Sequence, residues 1–121
     1  MENSWKYTED VLNEFCSVHK GKYFLTDDEE IMEINPQRII SINNTYAYPD
    51  ILNDDKMKVL KKSYKENKWL KNYKAILGFS LLMLPNGDLL VNGGGNHRAV
   101  LAKEEGLSHV KAFVSKVRVI D

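Results

Sequence analysis

Cysteine is almost absent: Cys16 is the one cysteine among 121 residues. An intramolecular disulfide is therefore excluded, as is a zinc site built from repeated thiolates, and the chain suits a reducing compartment. An excess of one charge is lacking as well. Seventeen Lys and Arg balance seventeen Asp and Glu, so net charge exerts no long-range pull toward nucleic acid or a membrane surface. Long apolar runs are missing. The best, residues 76–84, is interrupted by Gly78 and Ser80 and falls far short of the ~20 residues that span a bilayer as a helix. The opening Met1-Glu2-Asn3-Ser4-Trp5-Lys6 has neither the basic nor the apolar region of a signal peptide. These absences predict a cytoplasmic protein with no membrane partner. There is no internal repeat, low-complexity tract or linker, and the chain reads as a single domain over residues 1–121.

Apolar residues make up 43% of the chain, enough for a core. A first helix is expected from Thr8, whose hydroxyl is a candidate cap, with Val11, Leu12, Phe15 and Cys16 on one face. Tyr7 and Leu12 suit a hydrophobic staple around it, and Gly21 ends it. A short strand follows at residues 22–26, then the acidic turn Asp27-Asp28-Glu29-Glu30, an extended return at 31–34, and a strand at 39–42. Residues 43–53 read as a loop. A second helix starts at Asn53 or Asp54, with Met57, Leu60 and Tyr64 on its buried face and acids before lysines, as the helix dipole favours. Residues 75–84 read as a buried strand. Pro85-Asn86-Gly87-Asp88 is a turn and Leu89-Leu90-Val91 the returning hairpin strand. A third helix covers 96–105 and stops at Gly106, and a β-branched strand closes the fold at 110–117. The fold class is α+β, a small mixed sheet with flanking helices.

The chemistry concentrates where the strand runs through Gly93-Gly94-Gly95 into the helix opened by Asn96-His97-Arg98. Glycine permits positive φ and close approach of a ligand to the main chain. The first turn of the helix has N–H groups without helical partners, and its dipole adds partial positive charge. Arg98 can fork onto phosphate oxygens, and His97 can donate a hydrogen bond or carry a proton. Asn96 can reach a ribose, base or phosphate. The run is not a Walker loop, because no Gly-Lys-Ser/Thr follows. It also lacks the third glycine of a dinucleotide fingerprint, since Arg98 stands there.

From Leu89 to Leu107 the sequence resembles the ParB/sulfiredoxin superfamily, in which a strand enters a Gly-x-x-Arg or Gly-x-His-Arg turn. A small-residue helix then ends at Lys-Glu-x-Gly, here Lys103-Glu104-Glu105-Gly106. The likeness spans residues 31–117 and leaves 1–30 as an added helix and strand. It implies a ParB/sulfiredoxin-like fold and a nucleotide partner, ATP or CTP with Mg²⁺. It makes Gly93, Gly94, Gly95, Asn96, His97 and Arg98 the phosphate-binding residues and implies phosphoryl transfer or NTP hydrolysis. His97 and Glu33 are then the candidate catalytic residues, because kinase-like members place an acid in the region of Glu33.

Two departures narrow the activity. Sulfiredoxins carry a catalytic cysteine where this chain has Asn96, so reductase chemistry by that route is not expected. ParB clamps carry a basic box and a downstream DNA-reading domain, where this chain has Asn43-Asn44-Thr45-Tyr46 and ends at Asp121. A small interaction or regulatory protein that keeps the fold without turnover is the alternative, acting through residues 43–49 or the N-terminal helix. A nuclease is a further one, and it would need acids converging on a metal near His97. Residues 27–30 lack the alternating ligands of an EF-hand, and no metal site is expected. Lysines from Lys56 to Lys74, interleaved with Tyr64, Trp69 and Tyr73, could contact nucleic acid, although these aromatics are better placed for packing.

Overall fold

The computed structural model describes residues 5–66 and 79–120. The first four residues of the predicted strand at 75–84 lie outside the described residues, as do Lys68, Trp69, Lys71, Tyr73 and Lys74. In chain order the elements are β1 (Lys6–Tyr7), α1 (Thr8–Val18), β2 (Tyr23–Thr26), β3 (Glu30–Ile34) and a 3-10 turn at Pro36–Arg38. Next come β4 (Ile39–Ile42), a 3-10 turn at Asp50–Asn53 and α2 (Asp55–Lys65). The remainder comprises β5 (Ser80–Met83), β6 (Leu89–Val91), α3 (Asn96–Glu104) and β7 (Val110–Ile120). The α+β class holds. The expected elements are present, but the closing strand runs three residues past Val117.

Seven strands form one mixed sheet in the order β1-β4-β6-β5-β7-β2, with β3 also pairing β7. β1, β4 and β6 run parallel, β5 returns antiparallel to β6, and β7 lies parallel to β5. β2 and β3 follow one another antiparallel along β7. Between the pairs Thr26–Val117 and Glu30–Val114, Asp27, Asp28 and Glu29 oppose only Ser115 and Lys116. The acidic turn is therefore a bulge in an edge strand, a device that bends and twists the strand. Asp27 is held there by Arg118 at 2.8 Å.

Side chains alternate across the sheet, and both faces are covered. Leu81, Leu89 and Val91 join Ile39, Met57, Ala99, Val100 and Ala102 in the larger core, under α2 and α3. Leu82, Leu84 and Leu90 point the other way and pack with Val11, Leu12, Phe15 and Val117 in the smaller core, under α1. That is why Leu81-Leu82 and Leu89-Leu90-Val91 show no polar alternation: neither face meets water. Residues 5–30 are thus built into the sheet, supplying β1 at one edge, β2 at the other and α1 over one face.

Three local expectations are corrected. Thr8 does not cap α1, whose cap position is Tyr7 and carries no side-chain hydrogen bond. The Thr8 hydroxyl instead donates to the Val91 carbonyl at 2.7 Å and lies 2.7 Å from the Ser41 hydroxyl, pinning α1 to the ends of β4 and β6. Tyr7 and Leu12 form no staple, because they pack against the two different cores. Cys16 is exposed, since the apolar stripe of α1 narrows to Val11, Leu12 and Phe15.

Candidate functional site

β6 ends at Val91, and the chain turns through residues 92–95 into α3. Gly93 has φ +87 and Gly95 φ +100, values that L side chains rarely adopt. The turn is fastened to the sheet, with Asn92 N–H donating to Ser80 O at 2.9 Å and Ser80 N–H to Gly94 O at 3.3 Å. Gly95 O accepts the first helical bond, from Ala99 N–H at 2.9 Å. The N–H groups of Asn96, His97 and Arg98 therefore have no carbonyl four residues back within α3, at its positive dipole end.

Asn96 is 5% exposed and its amide is spent on the scaffold. Its Oδ1 accepts from Asn43 N–H at 2.7 Å, and its Nδ2 donates to Gly93 O at 3.2 Å. One side chain thus ties the glycine turn to the segment leaving β4. The amide was expected to meet ligand; in the structure it shapes the turn that would do so.

His97 meets a partner 43 residues away: its Nε2 lies 2.7 Å from Asp54 Oδ2. The other oxygen, Asp54 Oδ1, caps α2 by accepting from Met57 N–H at 2.8 Å. Burial acts to raise the Asp54 carboxyl, but the hydrogen bonds from His97 and Met57 outweigh it and hold it below its ordinary value. The imidazole is wedged by Tyr46, whose ring stands edge-on to it with centroids 4.8 Å apart. Tyr46 OH accepts in turn from Lys56 Nζ at 3.4 Å. Arg98 is half-buried, and that burial lowers its pKa, though a guanidinium keeps its charge at neutral pH.

These groups surround a cleft of about 580 Å³. The glycine turn and residues 96–98 line it together with Asn43, Thr45 and Tyr46 after β4, and Lys56, Val59, Leu60 and Ser63 on α2. It opens at the carboxyl ends of the adjacent parallel strands β4 and β6. The combination is cationic and rich in N–H donors at one end, and apolar along Val59 and Leu60.

The six predicted phosphate-binding residues thus stand together, with His97 among them. Glu33 does not join them. It is exposed on β3, opposite Lys111 of β7, and is not among the residues lining the cleft. Glu104, at the far end of α3, accepts from Tyr48 OH. Among the described residues no three His, Cys, Asp or Glu cluster as a metal site. No helix among them is long and apolar enough to cross a membrane. Sequence reasoning missed Asp54, Tyr46 and Lys56. Asp54 was legible as a helix cap, but no local signal tied it to a histidine so distant in sequence. Comparison of the chain with protein-family models, curated proteins and solved structures gives no match.

Proposed function

We propose that this protein is a cytoplasmic, ParB/sulfiredoxin-like domain that binds a nucleoside di- or triphosphate in the cleft. The observation that carries this reading is the coincidence of glycine-turn amides, an α3 N-terminus, Arg98 and Lys56 around one opening. Each favours negative charge, and together they suit a phosphate chain better than a single carboxylate. Tyr46, Val59 and Leu60 supply the less polar surface that a base and ribose need. The cleft offers cations and N–H groups rather than a carboxylate cluster, so Mg²⁺ would arrive held by the ligand's own phosphates. Phosphoryl transfer or hydrolysis is the chemistry such a site favours, with Arg98 and the turn amides stabilising phosphate charge.

The test is thermal unfolding of wild type and Arg98→Ala with ATP, ADP, CTP or GTP and Mg²⁺. A ligand that binds only the folded state at a hundredfold excess over its Kd stabilises by about 2.7 kcal/mol. A shift with one or more nucleotides that disappears in Arg98→Ala supports the reading, and no shift with any of them overturns it.

A second reading, a non-catalytic interaction protein, is favoured by a different surface. Tyr23, Leu25 and Ile120 are all exposed on one face of β2 and β7, where Tyr23 pairs directly with Ile120. Under this reading a partner covers that side, and it co-purifies with wild type but not with a Tyr23→Ser/Leu25→Ser variant.

A further inference from the structure

The Asp54–His97 pair has more structure than phosphate binding requires. An ionised carboxylate can only accept, so the 2.7 Å contact places a proton on His97 Nε2. In the neutral ring, Nδ1 then carries the lone pair. Nδ1 has no hydrogen-bond partner among the described residues, and no buried side-chain nitrogen or oxygen among them lacks one. Nδ1 is therefore open to solvent, although the His97 side chain is only 13% exposed, and His97 lines the cleft. The ring's plane is fixed from three sides: by Asp54 before α2, by the edge-on Tyr46 ring after β4, and by its own seat in the first turn of α3. The other charged groups at this cleft are Lys56 on α2 and Arg98 on α3. Neither is a proton acceptor at neutral pH, which leaves Nδ1 as the one basic nitrogen among them.

We infer that His97 is a general base for hydrolysis of the bound nucleoside triphosphate, and that Asp54 is the positioning residue that directs its free nitrogen to the attacking water. This inference rests on the nucleotide reading above. Nδ1 accepts a proton from a water molecule while the water oxygen forms a bond to the terminal phosphorus. The bond from that phosphorus to the bridging oxygen breaks, and the leaving nucleoside diphosphate keeps the electron pair. The proton on Nδ1 then passes to solvent, so the products are nucleoside diphosphate and inorganic phosphate. Arg98 and the turn amides hold the phosphate oxygens throughout, and Asp54 stabilises the imidazolium that forms, as an acid oriented behind a histidine does in other hydrolases.

The experiment measures phosphate release from ATP and from CTP, each with Mg²⁺, across about pH 5 to 9, where a histidine base changes state. Wild type, His97→Ala, Asp54→Asn and Asp54→Ala are compared, with nucleotide-induced thermal shifts read in parallel. Asparagine is as good a helix cap as aspartate, so Asp54→Asn keeps α2 while removing the charge. The expected result is a rate that falls about a hundredfold or more in His97→Ala while a nucleotide shift persists. In Asp54→Asn kcat falls while the nucleotide shift persists, because an amide can turn its N–H toward Nε2 and no longer fixes the tautomer that leaves Nδ1 free to accept. A merely structural Asp54 would lower the melting temperature and leave kcat in place. Arg98-dependent nucleotide binding without phosphate release above the His97→Ala level would overturn this inference and leave the binding proposal standing. So would an unchanged kcat in Asp54→Asn. Absence of any nucleotide shift in wild type would remove the binding proposal, and this inference with it.

Discussion

β6 is flanked by two glycine turns, one at each end, and they behave oppositely. At its start, residues 85–88 close on themselves: Gly87 N–H donates to Leu84 O at 2.8 Å, and Leu84 N–H to Asp88 O at 2.9 Å. Asp88 N–H donates to Asn86 Oδ1 at 2.9 Å, and Arg38 covers the Asn86 carbonyl. A Cβ added at Gly87 would come within 2.8 Å of the Arg38 guanidinium. At the end of β6, Gly93 has nearly the same φ, +87 against +92, yet a Cβ there would meet nothing within 4 Å among the described residues. One turn has consumed its polar groups and its space. The other is braced from behind by Asn96 and Ser80 and left open in front. Glycine and positive φ are common to both, so they do not make a site. What distinguishes the second turn is a helix N-terminus and a cleft beside it.

Matched substitutions sharpen that contrast. Asn96→Ala is expected to have the largest effect, because it strips partners from Asn43 N–H and Gly93 O within the scaffold. A cost of about 2–4 kcal/mol follows if each group loses about 1–2 kcal/mol, together with loss of any nucleotide shift. Its counterpart in the closed turn, the exposed Asn86→Ala, should cost about 1 kcal/mol or less, measured by denaturant unfolding, and leave ligand binding alone. Equal costs for the two would break the comparison.

Gly93→Ala and Gly87→Ala come next. Both place a side chain at positive φ, worth about 1–2 kcal/mol, with Arg38 able to move aside at Gly87. Similar stability losses are expected, but only Gly93→Ala should weaken nucleotide binding, because its methyl group faces the open side of the turn.

The acid limb of stability gives a smaller effect of known sign. The folded Asp54 carboxyl lies below its ordinary value of 3.8, so its contribution is complete above that pH and is lost as pH falls through the lower folded value. The stability gap between wild type and Asp54→Asn should therefore be fully present above about pH 4 and narrow below it, followed by urea unfolding at each pH. A gap that widens as pH falls below about 4 would contradict the assignment. The smallest effect belongs to the far edge, where Asp27→Ala, removing an exposed pair with Arg118, should cost under about 1 kcal/mol.

Much of this molecule was legible residue by residue. The periodicity of Met57, Leu60 and Tyr64, the Asn-Gly turn at 86–87 and the glycine run before Asn96 each act through neighbours in the chain, where local rules operate. The errors share one cause. Thr8 was read as a cap because local geometry allows it, but Val91 and Ser41 lie within reach only once β1 pairs with β4. Asn96 was read as able to reach a ribose, base or phosphate, and its side-chain oxygen is taken by Asn43 N–H, 53 residues away in sequence.

The sequence by itself determined the α+β class, the three described helices, the turns at each end of β6, and the residue types at the open one, because propensity, capping and glycine's backbone freedom are short-range. Tertiary structure alone decided that Asp54 meets His97, that Glu33 sits on the outer side of β7, and that residues 5–30 complete both sheet edges and cover one face. Those outcomes depend on strand order and on which faces come together, and side chains far apart in sequence acquire partners only when the sheet has formed.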